Sequence, residues 1–321
     1  MVTTRIILKK CMESVWNRNS GQRFMEAEMK LLVTGVKGQL GYDVVKELNK
    51  RGHEAIGVDV EEMDITRQDE VDRVISEVSP DAVIHCAAYT AVDKAEDEPE
   101  ICQRVNRDGT ENIAKACKKL DCKMLYISTD YVFSGEGKTP WEPEAEKGPL
   151  SVYGRTKYEG ELAVKAHLSK YFIVRITWAF GKNGNNFVDT MLRLGRERGK
   201  VSVVNDQIGS PTYTKDLAIL LADMIETEKY GEYHGTNEGF CSCFEFAKEI
   251  FKVAGVDVEM TPITTEEFGA KANRPKNSRL SKEKLVKSGF NKLPGWQDAL
   301  ARYLQEMSEP QSFNNYRNFS F

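Results

Sequence analysis

The stretch KLLVTGVKGQLGYDVVKELNKRG, Lys30 to Gly52, decides how this chain folds. Its first residues, KLLVTG, form a short apolar run of the kind that makes a buried strand. Its last ten, DVVKELNKRG, read as a helix that stops at Gly52. Between the two, Gly35, Gly38 and Gly41 recur at intervals of three. In a strand-to-helix turn each of these glycines has a use. Gly35 permits the tight turn, Gly38 lets backbone N–H groups approach a pyrophosphate, and Gly41 lets the helix pack closely on the strand. The helix N-terminus adds its partial positive charge at the same place.

The next strand, EAIGVD, ends at Asp59, 18 residues past Gly41. An acidic side chain there can accept hydrogen bonds from an adenosine ribose. It would also repel a 2′-phosphate, which favours NAD over NADP, and the following VEEMDIT holds no arginine to offset it. Asp64 and Ile65 follow where an adenine would lie. TRQDEVDRVISEVSP reads as a helix with Thr66 as its N-cap and Pro80 as its stop. DAVIHCAA and KMLYIST are further strands, separated by the long helical stretch PEICQRVNRDGTENIAKACKKL, and YFIVRITWAF is another.

Strands separated by helices of this length imply right-handed crossovers and a parallel sheet covered on both faces. Ligands in such sheets sit at the carboxyl ends of the strands. After about Gly181 the rhythm loosens into helices among short strands such as VSVVN. The expected architecture is therefore α/β: a Rossmann-type doubly wound parallel sheet with a smaller C-terminal substrate-binding lobe. Residues 29–180 form the dinucleotide-binding domain and 181–307 the lobe, interleaved with it. Residues 1–28 are an extension and 308–321 a tail.

The bulk composition narrows the function. With 321 residues, 40% hydrophobic and 29% charged, the chain fits an ordinary water-soluble protein with ample core. A formal net charge of -4 offers no basic surface for nucleic acid, and no apolar run approaches the ~20 residues of a membrane span. The seven cysteines are scattered without a C-x-x-C pair and the four histidines are isolated, so no metal site is expected and the compartment reads as reducing and cytoplasmic. Cys241 and Cys243 are expected to flank a helix start and pack. The first 28 residues lack the long apolar segment of a secretory signal.

A second cluster carries the chemistry. LYISTDYVFSG ends a strand with Ser128, Thr129 and Asp130 at its carboxyl end. SVYGRTKYEGELAVKAHL then places Tyr153 and Lys157 four apart, on one face of a helix. Reducing a ketone needs a hydride on one face and a proton for the developing alkoxide. A tyrosine near pKa ~10 holds its proton firmly, and a nearby ammonium favours the phenolate. Lowering the Tyr153 value by about three units is worth roughly 4 kcal/mol, a reasonable demand on Lys157. Lys157 would also hold the nicotinamide ribose, and Thr129 would position the carbonyl oxygen against Tyr153.

The glycine triplet, the Asp after the second strand, a Ser/Thr and Tyr-x-x-x-Lys, in that order, resemble the extended branch of the short-chain dehydrogenase/reductase superfamily. The closer resemblance is to dTDP-4-dehydrorhamnose reductases, through GxxGQLG, AAYTAVDKAEDEPE, STDYVFSG, VYGRTKYEGE, RITWAFGKNGNNF, NDQIGSPT and RPKNSRL, which together run from Met29 to about Met307. The resemblance implies reduction of dTDP-4-dehydro-β-L-rhamnose with NADH or NADPH. It implies that Gly38, Gln39 and Leu40 meet the pyrophosphate, with Asp59 at the ribose and Asp64 and Ile65 near the adenine. Ala88, Tyr89 and Thr90 run alongside the cofactor. Thr129, Asp130 and Trp178 would contact the dTDP-sugar, while Asn186 and Arg274 would hold its diphosphate. A homodimer stays open. Two rivals remain at this level: a nucleotide-sugar epimerase or dehydratase of the same superfamily, and a non-catalytic regulatory subunit like that of methionine adenosyltransferase.

Overall fold

A computed structural model describes residues 28–308. The expected extension up to residue 27 and the tail from residue 309 lie outside the described residues. Strand β1 (Lys30–Thr34) takes a central place, paired in parallel with β2 (Glu54–Val58) on one side and β3 (Ala82–His85) on the other. Strands β4 (Lys123–Thr129) and β5 (Tyr171–Ile176) extend the sheet beyond β3, and the strand Gly231–His234 adds to β5 at the edge. The six strands run in the order β2-β1-β3-β4-β5-(231–234), all parallel. The chain winds outward in opposite directions from β1, so the switch point lies between β1 and β3, where an open sheet of this kind binds ligands.

Both faces are covered. Helix α1 (Gln39–Lys50) and the helix Thr214–Ile225 pack on one, where Leu31, Val33, Val44, Leu48, Leu217 and Leu221 are buried. The other face carries α2 (Gln68–Val78) and a connection of short helices α3 (Val92–Ala95) and α4 (Pro99–Gln103), then α5 (Thr110–Leu120) and α6 (Val152–His167). Leu32, Val71, Val83, Ile113 and Val164 are buried there. Leu31 and Val33 serve one face and Leu32 the other, as the two-residue strand period requires. That is why the strand reads as continuously apolar. The glycine loop and the ends of β3 and β4 are thereby set at one rim.

From Phe180 onward the chain builds a separate core of Phe180, Phe246, Ile250, Trp296, Leu300 and Tyr303, yet also supplies the edge strand and the helix Thr214–Ile225 to the main sheet. Cys241 and Ser242 precede the helix Cys243–Ala254, which opens with a Ser242–Glu245 capping box.

One expectation is refined and two need correction. The stretch from Pro99 to Leu120 is helical throughout but not uniformly α. A π-helical segment, Arg104–Gly109, separates α4 from α5. Asn106 turns inward there, and Gly109 faces Ile65 so closely that a Cβ would lie 2.8 Å from it. Thr66 does not cap α2. Arg67 holds that position, and the Thr66 hydroxyl instead donates to Asp64 Oδ1 at 2.8 Å. The strand predicted through Phe180 breaks after Ile176, because Trp178 takes a left-handed φ of 44°, and resumes as Ala179–Phe180 beside Thr212–Tyr213.

Candidate active site

The glycine loop is as tight as its spacing suggests. Gly35 has φ +71°, and a Cβ on it would lie 2.8 Å from the Ala87 backbone. A Cβ on Gly41 would lie 2.4 Å from the Gly35 carbonyl oxygen. Gly38 stands at the N-cap of α1 in an extended conformation without a side-chain cap, so the first amides of the helix are left for a ligand. Leu40 is buried, while Gln39 reaches the C-terminal lobe, donating to the Asn185 carbonyl at 3.3 Å and accepting from Asn186 Nδ2 at 3.2 Å.

Beside the loop lies a cavity of about 200 Å³ lined by Gly35, Asp59, Asp64, Ile65 and Ala88 among others. The residues present therefore fit a dinucleotide: a groove that side chains would block, open helix amides, and a cavity ending in a carboxylate. Asp59 Oδ2 accepts from the Lys37 amide at 3.0 Å and Oδ1 from the Val60 amide at 2.9 Å. The Lys37 ammonium pairs with Glu61 at 2.5 Å. The acidic edge thus has a cation after all, supplied by the glycine loop rather than by the residues after β2. Tyr89 is fixed from both sides of its backbone by the Asn106 amide, at 2.8 and 3.1 Å, and its hydroxyl donates to Glu98. Thr90 is exposed.

The second cluster comes together at the end of β4. The Thr129 hydroxyl donates to Asp130 Oδ1 at 3.0 Å, accepts from the Tyr131 amide at 3.2 Å, and acts on the Tyr153 phenol. Helix α6 is pressed against this turn. Ser151 caps it by accepting from the Gly154 amide at 3.2 Å, and a Cβ on Gly154 would lie 2.3 Å from the Tyr131 carbonyl oxygen. The close approach sets the Tyr131 and Tyr153 rings edge to face, 5.4 Å apart. Lys157, one turn later and 3% exposed, donates to the Ile127 carbonyl at 2.7 Å and lies 4.2 Å from the centre of the Tyr126 ring.

The electrostatics differ from the expectation. Burial pushes the Tyr153 phenol up, well above its ordinary value, with the Thr129 side chain opposing. Burial lowers Lys157 to about 7, with the Glu161 carboxylate opposing. The Lys157 ammonium is directed at a carbonyl and an aromatic face, so desolvation outweighs any pull on the phenol. Asp130 is raised to about 6 by burial, with the Thr129 hydrogen bond to Oδ1 opposing, and its Oδ2 has no partner. His85, hydrogen-bonded to Thr34 and Thr110, is lowered to about 3 and stays neutral.

A larger cavity of about 830 Å³ opens between the loop at Ser134–Lys138 and the segment Thr265–Arg279. Arg274 lines it, donates to the Tyr131 hydroxyl at 3.2 Å, pairs with Asp93 at 2.5 Å, and keeps a buried Nε without a partner. It thus joins this cavity to the Tyr153 cluster. Trp178 is half-buried, its ring 3.1 Å from where a Cβ on Gly209 would sit. Asn186 does not offer a free donor for a diphosphate. Its Oδ1 caps the helix Phe187–Arg198 by accepting from the Asp189 amide, and its Nδ2 faces Gln39, Gly181, Asp189 and Tyr303. An Asn directly before a helical run is a strong cap signal, and that role absorbs it. Lys37 and Tyr131 were missed by the sequence reading. Tyr131 stands inside STDYVF, two places past Thr129, while nothing local to Lys37 marks its approach to Asp59. Among the described residues, no group of three or more His, Cys, Asp or Glu side chains could hold a metal ion, and no helix is long and apolar enough to cross a membrane.

Residues 29–309 match the family model described as the RmlD substrate binding domain. The chain belongs to the dTDP-4-dehydrorhamnose reductase family. It is 39% identical over 275 residues to the dTDP-4-dehydrorhamnose reductase of Mycolicibacterium smegmatis, covering 84% of each chain. It is 38% identical over 279 residues to the spore coat polysaccharide biosynthesis protein SpsK of Bacillus subtilis, covering 87% of this chain and 98% of that one. The crystal structure of dTDP-4-dehydrorhamnose reductase from Bacillus anthracis in complex with NADP superimposes with a TM-score of 0.85 at 45% identity, covering 87% of this chain and all of that one. The Rossmann-type parallel sheet is thus shared with members of this family.

Proposed function

We propose that this protein is an NAD(P)H-dependent reductase that converts dTDP-4-dehydro-β-L-rhamnose into dTDP-β-L-rhamnose. The observation that carries the reading is the placement of Thr129 at the end of β4 with Tyr153 and Lys157 on the helix packed against it, at the same rim as the glycine loop. A coenzyme with its pyrophosphate at that loop would supply the hydride from its reduced nicotinamide. Gly38, Gln39, Leu40 and Gly41 offer backbone to the pyrophosphate, and Asp59 receives the adenosine ribose. Thr129 orients the carbonyl oxygen, and the Tyr153 hydroxyl gives that oxygen its proton. A phenol held high by burial keeps its proton until alkoxide character develops, and Lys157, where it carries its proton, then stabilises the phenolate left behind.

Arg274, Asp130 and Trp178 take the dTDP-sugar. Arg274 has an unpaired buried N–H on the wall of a cavity large enough for a nucleotide, and Asp130 has an unpaired oxygen for a sugar hydroxyl. Lys37 beside Asp59 supports use of either coenzyme. Residues 29–180 act as the dinucleotide-binding domain and 181–307 mainly as the substrate lobe, in a soluble, cytoplasmic setting.

The test supplies dTDP-4-dehydrorhamnose with NADH and NADPH in turn and follows coenzyme absorbance and product together. Stoichiometric oxidation with formation of dTDP-rhamnose is expected. Sugar conversion without net coenzyme loss would point to an epimerase or dehydratase. Binding without turnover would point to a regulatory subunit.

A further inference from the structure

One turn past Lys157, on the same face of α6, stands a charged side chain with no part in the chemistry above. Glu161 is fully buried. Its Oε1 accepts from Ser128 Oγ at 2.6 Å and from Arg175 Nε at 2.7 Å, and its Oε2 from Arg175 Nη2 at 2.6 Å. Arg175, on β5 and equally buried, also donates to Glu232 at 2.5 Å and to the Pro143 carbonyl at 2.9 Å. Ser128 directly precedes Thr129. One carboxylate therefore ties the helix of Tyr153 and Lys157 to the strand end of Thr129 and to the neighbouring strand.

We propose that Glu161 is a positioning residue for the reaction, whose clamped carboxylate holds Lys157 as an ammonium and fixes α6 against the end of β4. The proposal rests on the reductase reading for its consequence in turnover. The physical need is plain: an ammonium removed from water tends to lose its proton. Lys157 faces Tyr153 and Glu161 on its own helix, His85 and Cys86 from the end of β3, Cys102 from α4 and Tyr126 from β4. Of these, Glu161 exerts the largest influence in favour of the charge. Its oxygens are engaged by Ser128 and Arg175, so it acts on Lys157 through the field of a dry interior rather than by contact. Arg175 offsets part of that field, and its single charge is divided between Glu161 and Glu232. Lys165 pairs with the outer oxygen of Glu232, and Lys147 senses Glu161 and Glu232 from the loop.

The test reads Lys157 directly. In protein labelled with ¹³Cε-lysine, the Lys157 resonance is the one absent from Lys157→Met, and its titration needs no substrate. Glu161→Gln keeps the shape and the Ser128 hydrogen bond while removing the charge. The Lys157 midpoint is expected to fall by about one pH unit or more, and the alkaline limb of kcat/KM to move down with it. A merely structural residue would scale the profile without moving the limb. Should Glu161→Gln alone fail to fold, Glu161→Gln/Arg175→Gln removes both partners, leaves Glu232 with Lys165, and is expected to lower the midpoint by a smaller amount, because an opposite charge leaves with the carboxylate. An unmoved Lys157 midpoint in either folded variant overturns the proposal. Absence of turnover in the wild type would instead overturn the reductase reading.

Discussion

Lys157→Met should stabilise this protein while removing its activity. Lys157 is 3% exposed, and burial lowers its pKa from an ordinary 10.5 to about 7. Below pH 7 both folded and unfolded chains carry the charge, and the folded one bears the full desolvation penalty, about 5 kcal/mol at about 1.36 kcal/mol per unit. Between pH 7 and 10.5 the unfolded chain still binds the proton and the folded chain does not. Stability from this group therefore rises with pH through that window, and the penalty is gone above it. From pH 7 to 9 the gain is about 2 kcal/mol. Methionine fills similar space without charge, but leaves the Ile127 carbonyl without its 2.7 Å donor, a loss of about 1–3 kcal/mol. The net expectation at pH 7 is a gain of roughly 1–3 kcal/mol. Urea unfolding followed by circular dichroism at pH 7, 8 and 9 measures it. The difference between wild type and variant should shrink as pH rises. A variant less stable than wild type at pH 7, or a difference that stays constant with pH, would refute the desolvation argument.

Two further outcomes follow from the cofactor groove. Asp59→Ala should lower the preference for NADH over NADPH and Lys37→Ala should raise it, each read as a ratio of dissociation constants by fluorescence titration. An unchanged ratio in both would remove this edge from discrimination. Gly41→Ala forces a Cβ to within 2.4 Å of the Gly35 carbonyl, so it should cost about 1–3 kcal/mol of stability and weaken coenzyme binding, measured by thermal unfolding and the same titration.

The parts of this molecule legible in its sequence are those that physics writes locally. Gly35 and Gly41 announce a turn that admits no Cβ, and the apolar run Leu31–Val33 announces a strand covered on both faces. Tyr153 and Lys157 announce a shared helical face. What escaped reading depends on residues far apart in the chain. Arg274 meets Tyr131 across 143 positions, and Lys37 meets Asp59 only because the glycine loop folds over the end of β2. The Tyr153 electrostatics failed for a related reason. Spacing shows that a lysine is near a phenol, but the direction of its ammonium is set by the Ile127 carbonyl and the Tyr126 ring. Asn186 is hard to read because one residue type serves equally well as ligand donor and as helix cap, and its bond from the Asp189 amide is set by the folded chain.

The account stands or falls on the proton donated by Tyr153. Tyr153→Phe keeps the ring against Tyr131 and removes only the hydroxyl. Rapid-mixing single-turnover oxidation of NADPH by dTDP-4-dehydrorhamnose, with coenzyme affinity measured in parallel, tests that proton directly. The account predicts coenzyme binding close to wild type and hydride transfer slowed by about 10²–10⁴-fold. Transfer at an undiminished rate in the variant would contradict it.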